Sequence, residues 1–88
     1  MRIGVVGAGV MGSGIAQVTA TAGYDTVCYD LSADALAAAF EHVTTGRFGL
    51  DRGVARGKIT RADADATLAR LTFTSSFADA AATDLVID

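Results

Sequence analysis

The sequence contains no proline, one cysteine and one histidine, and aromatic residues make up only 7% of its 88 residues. Without proline nothing marks a hinge, and we find neither a repeat nor a low-complexity linker, so we expect one domain. The lone Cys28 cannot form an internal disulfide, which agrees with a reducing compartment. No apolar run approaches the roughly 20 residues of a membrane span, and the first residues lack a signal-peptide pattern. We therefore expect a cytoplasmic globular protein with no membrane partner.

Charge is unevenly distributed along the chain. The net charge of −3 argues against nucleic acid as a partner. Between residues 47 and 61, however, five basic residues accompany a single aspartate, so this stretch carries +4 and the remainder −7. We call these five residues the basic patch: Arg47, Arg52, Arg56, Lys58 and Arg61.

Short apolar runs bounded by turn residues predict four strands. The first, Arg2–Val6, ends in Gly-Ala-Gly, which is typical of a strand that is buried on both faces and followed by a tight turn. The others are expected at residues 26–29, 71–74 and 85–87, with helical patterns between them. Because alternating strands and helices imply a parallel sheet with right-handed crossovers, the predicted fold class is α/β.

Helical spacing of apolar residues predicts the first two helices. The first has an apolar stripe at i, i+4, i+7 and i+11, and Gly23 is placed to end it in a left-handed conformation. The stripe consists of Met11, Ile15, Val18 and Ala22. Ser32 is a candidate N-cap of the second helix. The stripe of that helix consists of Leu36, Phe40 and Val43.

The 40 residues from Leu31 to Arg70 are too many for one crossover helix, so we expect an inserted pair of helices between strands 2 and 3. Thr60 and Asp63 resemble a capping box that opens the second member. Four glycines precede it at spacings of three or four, namely Gly46, Gly49, Gly53 and Gly57. They indicate either a broken helix, since each glycine costs about 1 kcal/mol relative to alanine, or a bare face for close approach of a backbone or flat ligand.

The segment Gly7-Ala8-Gly9-Val10-Met11-Gly12 matches the pattern G-x-G-x-x-G between a predicted strand and a predicted helix. Gly7 permits a tight turn, Gly9 leaves no side chain between backbone and pyrophosphate, and Gly12 lets the helix pack close to the strand. The free N–H groups of the first helical turn, at Val10 and Met11, and the helix dipole then favour phosphate. This predicts a Rossmann-type dinucleotide site.

Asp30 lies 18 positions beyond Gly12, at the end of the second predicted strand. We expect its carboxylate to accept hydrogen bonds from the adenosine ribose and to repel a 2′-phosphate, so NAD is favoured over NADP. The alternative is that the glycines only form turns and Asp30 is a solvated strand end. Cys28 is interpreted as a buried small hydrophobe and His42 as an exposed side chain without a partner. No catalytic triad or metal site is evident.

Several stretches resemble the 3-hydroxyacyl-CoA dehydrogenase family, in particular its bacterial 3-hydroxybutyryl-CoA dehydrogenase type. They are residues 3–17, 22–24, 29–32, 49–52, 56–60 and 84–87. The resemblance implies NAD-dependent oxidation of an (S)-3-hydroxyacyl-CoA, with 3-hydroxybutyryl-CoA the expected substrate, or the reverse reaction, in fatty acid metabolism. In that family, basic residues of the inserted helices meet the coenzyme A phosphates. Arg52 and Arg56 occupy the corresponding places if a small insertion around residues 43–48 is allowed, although a solvated basic face is the alternative.

Members of this family continue well beyond the length of this chain, where they have the catalytic serine, a His–Glu pair and a helical dimerisation domain. We therefore expect residues 1–88 to form a partial NAD-binding domain that is inactive alone, because oxidation of an alcohol needs a base for its proton. An open edge at strand 85–87 favours a homo-oligomer. Asp88 stands where the family has glutamate. Two other interpretations are a stand-alone NAD-binding or interaction module and part of a β-hydroxy-acid dehydrogenase acting on free acids.

Overall fold

The computed structural model describes all 88 residues. In chain order its elements are β1 (Arg2–Val6), α1 (Val10–Thr21), β2 (Asp25–Tyr29), α2 (Ala33–Thr44), α3 (Leu50–Ala55), α4 (Arg61–Ala69), β3 (Leu71–Thr74), α5 (Phe77–Ala81) and β4 (Leu85–Ile87). None of these helices combines the length and the apolar character needed to cross a membrane. All four predicted strands are present, and only β2 differs, because it starts one residue earlier than expected.

The four strands form one parallel sheet in the order β3-β2-β1-β4, which confirms the predicted α/β class. β1 lies inside the sheet, with Ile3 beside Thr26 of β2 and beside Leu85 of β4. Both faces of β1 are covered. On one face Gly4 lies directly under α5, since a Cβ at Gly4 would be 2.5 Å from the carbonyl oxygen of Ala80.

Helix α1 packs on the sheet through small residues rather than through its apolar stripe. The side chains that it buries are Ser13, Ala16 and Ala20. Met11 and Val18 of the apolar stripe are 80% and 68% exposed, so this stripe does not face the core. Small side chains let the helix axis approach the sheet closely, and this places the larger residues on the outer side. The predicted end of the helix is confirmed, because Gly23 adopts a φ of +105°.

Three helices, α2, α3 and α4, connect β2 to β3. Ser32 caps α2, with its Oγ accepting from the Ala35 amide at 3.2 Å, and Thr60 and Asp63 form the predicted capping box of α4. Of the stripe predicted for α2, Val43 is fully buried and Leu36 half-buried, whereas Phe40 is exposed and packs edge-on against Phe73.

The four glycines do not share a helical face, since α2 ends at Thr44 and α3 begins at Leu50. This agrees with the broken-helix interpretation. Gly46 lies just beyond the end of α2, where a Cβ would be 2.5 Å from the His42 carbonyl oxygen of the same helix. Gly57 lies two residues after the last residue of α3 and has a φ of +72°.

Candidate functional site

The glycine segment forms a tight turn between β1 and α1. Gly7 has a φ of +102°, a conformation that favours glycine, and its amide donates to the Tyr29 carbonyl oxygen at 2.7 Å. A Cβ at Gly12 would collide with the carbonyl oxygen of Gly7. Two of the three glycines are therefore required by the backbone of the turn itself.

Gly9 has a different environment, because nothing lies within 4 Å of the position that its Cβ would occupy. It is the N-cap residue of α1 and provides no side-chain cap. The backbone amides of Gly9, Val10, Met11 and Gly12 donate to no other backbone group, and the first turn of α1 contains no acidic residue. Open space beside free amides at a helix N-terminus is an arrangement that suits an anionic group such as pyrophosphate.

The carboxylate of Asp30 lies at this turn, where it joins two parts of the backbone. Its Oδ2 accepts from the Ala8 amide at 3.0 Å, and its Oδ1 accepts from the Ser32 amide at 2.9 Å. These backbone hydrogen bonds, first Ala8 and then Ser32, lower the pKa of Asp30 below its ordinary value. The side chain is therefore an anion at neutral pH. The bond to Ser32 follows a common Asx-turn spacing, but no local pattern indicated the bond to Ala8.

Two cavities of about 350 Å³ each flank the glycine turn. One lies between α1 and α2 and includes Gly9, Ser13 and His42 in its lining, whereas the other lies toward β4 and includes Met11 and Ile87. The expectation that His42 is exposed is wrong, because its ring is half-buried against the first cavity. The His42 ring forms no hydrogen bond or ion pair, as expected for a histidine without a partner residue.

The basic patch divides into two parts in the structure. Arg61 pairs with Asp51 at 3.1 Å and with Asp65 at 3.6 Å, so its charge is neutralised by its neighbours. The other four side chains line a shallow cavity of about 230 Å³ and have no carboxylate within 4.0 Å. We call these four the basic cluster: Arg47, Arg52, Arg56 and Lys58. Phe48 lies in the same lining, which the sequence pattern had not indicated.

Cys28 and the acidic residues offer no further chemistry. The Cys28 side chain is fully buried in β2, and its burial, with a smaller contribution from the Asp30 charge, raises the thiol pKa to about 11. This confirms that Cys28 is a packed small hydrophobe rather than a nucleophile. No three His, Cys, Asp or Glu side chains come together in an arrangement that could hold a metal ion.

A glycine turn opening a helix, with an acidic residue at the end of the next parallel strand, defines a Rossmann-type dinucleotide-binding protein. The family described as "3-hydroxyacyl-CoA dehydrogenase, NAD binding domain" matches residues 2–88, and the chain belongs to this family. The resemblance found in the sequence and the expected cofactor, NAD, are thus confirmed.

Relatives in the same family are similar in sequence along almost the whole of this chain. The chain is 43% identical over 91 residues to a 3-hydroxybutyryl-CoA dehydrogenase of Mycobacterium tuberculosis, covering 99% of this chain and 29% of the relative. It is 40% identical to a 3-hydroxyadipyl-CoA dehydrogenase of Escherichia coli, covering 98% of this chain and 18% of that protein.

Solved structures of 3-hydroxybutyryl-CoA dehydrogenases and related proteins share the fold of this chain. The (S)-3-hydroxybutyryl-CoA dehydrogenase PaaH1 of Ralstonia eutropha superposes with a TM-score of 0.88 at 40% identity, covering 97% of this chain and 29% of that one. M. tuberculosis FadB2 gives a TM-score of 0.88 at 39% identity, with the same coverage of 97% and 29%. The chain therefore spans less than a third of the length of these relatives.

Proposed function

We propose that residues 1–88 are the partial NAD-binding domain of an oxidoreductase that acts on (S)-3-hydroxyacyl-CoA, with 3-hydroxybutyryl-CoA as the preferred substrate. The observation that carries the proposal is the Asp30 carboxylate beside a glycine turn with four free amides. NAD, when bound, supplies the acceptor for the hydride. The family to which the chain belongs and the activities for which its relatives are named support the choice of reaction.

In this proposal the glycine turn binds the pyrophosphate of NAD and Asp30 binds the adenosine ribose. The open space at Gly9 and the amides of Val10 and Met11 hold the pyrophosphate, while Gly7 and Gly12 keep the turn tight. Each oxygen of the Asp30 carboxylate accepts one amide hydrogen and retains capacity for a second bond, which the ribose hydroxyls use. A 2′-phosphate would face this anion at close range, and this is the basis for preferring NAD over NADP.

Arg52 and Arg56 contact the phosphates of coenzyme A in this proposal. The basic cluster supports the assignment, because none of its four charges is paired with a carboxylate. A free hydroxy acid offers a single carboxylate, whereas the nucleotide part of coenzyme A carries several phosphate charges, which match four unpaired cations in one cavity better.

We further propose that the 88 residues bind NAD without turning over substrate, since oxidation of the hydroxyl group needs a base that is held in position. The titratable side chains that line the two cavities at the glycine turn are His42 on the α2 side and Asp88 on the β4 side, and neither has a hydrogen-bond or ion-pair partner to position it. Self-association, in the simplest case as a dimer, is proposed through the edge of β4. It is supported by the exposure of Leu85 and Val86 on a strand that pairs only with β1. A cytoplasmic location and a role in fatty acid metabolism complete the proposal.

Calorimetric titration of NAD and NADP tests the cofactor assignment. The unsubstituted chain is expected to bind NAD more tightly than NADP. Asp30→Ala is expected to weaken NAD binding by about tenfold or more and to remove most of the preference for NAD, because the hydrogen bonds from the ribose to a charged acceptor are lost.

Asp34→Ala is the matched control, since Asp34 is a neighbouring carboxylate that forms no ion pair. It should leave both affinities unchanged. Equal binding of NADP and NAD by the unsubstituted chain would show that Asp30 does not select the cofactor.

A further inference from the structure

Phe48 is an aromatic side chain that the proposed NAD site does not use. Its ring is 70% exposed, although it lies in the lining of the cavity formed by the basic cluster. The other phenylalanines are in edge contacts with aromatic partners: Phe40 with Phe73 and Phe77 with Tyr29. Phe48 therefore offers the one phenyl ring without an aromatic partner, and it does so beside four unpaired cations.

The backbone that carries Phe48 is held in place. The Gln17 Nε2 of α1 donates to the Phe48 carbonyl oxygen at 2.9 Å, and the Gly49 amide donates to the Gly46 carbonyl oxygen at 2.9 Å. The Arg47 guanidinium carbon lies 5.7 Å from the centroid of the Phe48 ring, within the range of a cation–π contact. These contacts hold the backbone at Phe48, and the Arg47 contact limits the positions that the ring can adopt.

We propose that Phe48 is a stacking platform for the purine base of the nucleotide whose phosphates the basic cluster contacts. This rests on the proposed function, in which that nucleotide is the adenosine 3′,5′-bisphosphate part of coenzyme A. Aromatic side chains bind bases through their faces, and a neighbouring arginine adds a cation–π contribution. Arg52 and Arg56 would then hold phosphate while Phe48 holds the base, so the two groups recognise different parts of one ligand. Gln17 is the positioning residue that fixes the platform to α1.

Calorimetric titration with two fragments of coenzyme A separates these contacts. Adenosine 3′,5′-bisphosphate carries the base, whereas 4′-phosphopantetheine has a phosphate but no base. Phe48→Ala is expected to weaken coenzyme A and adenosine 3′,5′-bisphosphate by about tenfold while leaving 4′-phosphopantetheine unchanged, since loss of one base–aromatic stack has an effect of this size. Phe48→Trp should retain the affinity. Tyr24→Ala removes another exposed aromatic ring and serves as the matched control.

The outcomes distinguish this proposal from the one on which it rests. If Arg52→Ala weakens coenzyme A and Phe48→Ala does not, the stacking platform is wrong and the phosphate contact stands. If the unsubstituted chain binds no coenzyme A, both are wrong. If Phe48→Ala weakens NAD and 4′-phosphopantetheine as much as coenzyme A, the ring has a general structural role and the platform is again excluded.

Discussion

Replacing Gly12 with alanine tests how the glycine turn fixes the start of α1. A Cβ at this position collides with the carbonyl oxygen of Gly7 and lies 2.9 Å from its carbonyl carbon. Both are backbone atoms, and the hydrogen bond from the Gly7 amide to the Tyr29 carbonyl oxygen holds that backbone in place. The clash therefore cannot be relieved by rotating a side chain, and α1 itself has to shift.

The size of the effect follows from two opposing contributions. Alanine is favoured over glycine inside a helix by about 0.5–1 kcal/mol, whereas overpacking a close contact costs about 1–3 kcal/mol. Because the overlap is with a backbone atom, the cost falls in the upper part of its range, about 2–3 kcal/mol. The expected net loss is therefore about 1–2.5 kcal/mol, which lowers the Tm of a domain of this size by about 4–20 °C. Gly14→Ala is the matched control in the same helix, because nothing lies within 4 Å of its Cβ position. It should stabilise the chain by about 0.5–1 kcal/mol.

Thermal unfolding followed by circular dichroism, with an NAD titration of both variants, provides the measurement. The two substitutions are expected to move the Tm in opposite directions, and Gly12→Ala should also weaken NAD because the amides of the first helical turn are displaced. An equal rise in Tm for both variants would mean that helix propensity alone determines the change in stability. The close contact with Gly7 would then not destabilise the Gly12→Ala variant.

Further expectations concern charge and assembly. Two backbone amides lower the folded-state pKa of Asp30, so its contribution to stability is fully present above the ordinary carboxyl pKa of 3.8 and is lost as pH falls through the lower folded value. Asp30→Asn should therefore reduce the difference in unfolding free energy between neutral and acid pH. An unchanged difference would contradict this reasoning. Arg52→Ala combined with Arg56→Ala should weaken coenzyme A binding and reduce its salt dependence, whereas Arg61→Ala should leave both unchanged, because Arg61 is an exposed residue paired with Asp51 and Asp65. Equal effects at all three positions would mean that coenzyme A responds to the overall positive charge rather than to contacts with Arg52 and Arg56. Sedimentation velocity at high concentration should show a dimer, and a purely monomeric profile would exclude association through β4.

Local patterns predicted the elements whose signals are themselves local. The strands, the left-handed Gly23, the Ser32 cap and the Thr60 capping box all depend on residues within a few positions of one another, and the structure confirms each of them. The glycine turn belongs to the same group, because its requirement for glycine comes from its own backbone geometry.

Features that depend on contacts between distant elements could not be predicted in this way. The inner face of α1 is set by how closely its small residues allow the helix to approach the sheet, so apolar spacing alone does not identify that face. The bond from the Ala8 amide to Asp30 spans 22 residues and exists only once β1 and β2 pair. The separation of Arg61 from the other four basic residues could not be predicted either, because it depends on the folded positions of Asp51 and Asp65, which form ion pairs with Arg61.

The two hydrogen bonds of Asp30 link cofactor choice to the architecture of the turn. One carboxylate braces the loop that receives the pyrophosphate and also faces the ribose in the proposed complex. Exchanging Asp30 for a residue that tolerates a 2′-phosphate would therefore also remove the acceptor of the Ala8 amide. A redesign toward NADP needs a second substitution that provides a new acceptor at that amide, and a single change at this position should yield a loosened turn before it yields a new specificity.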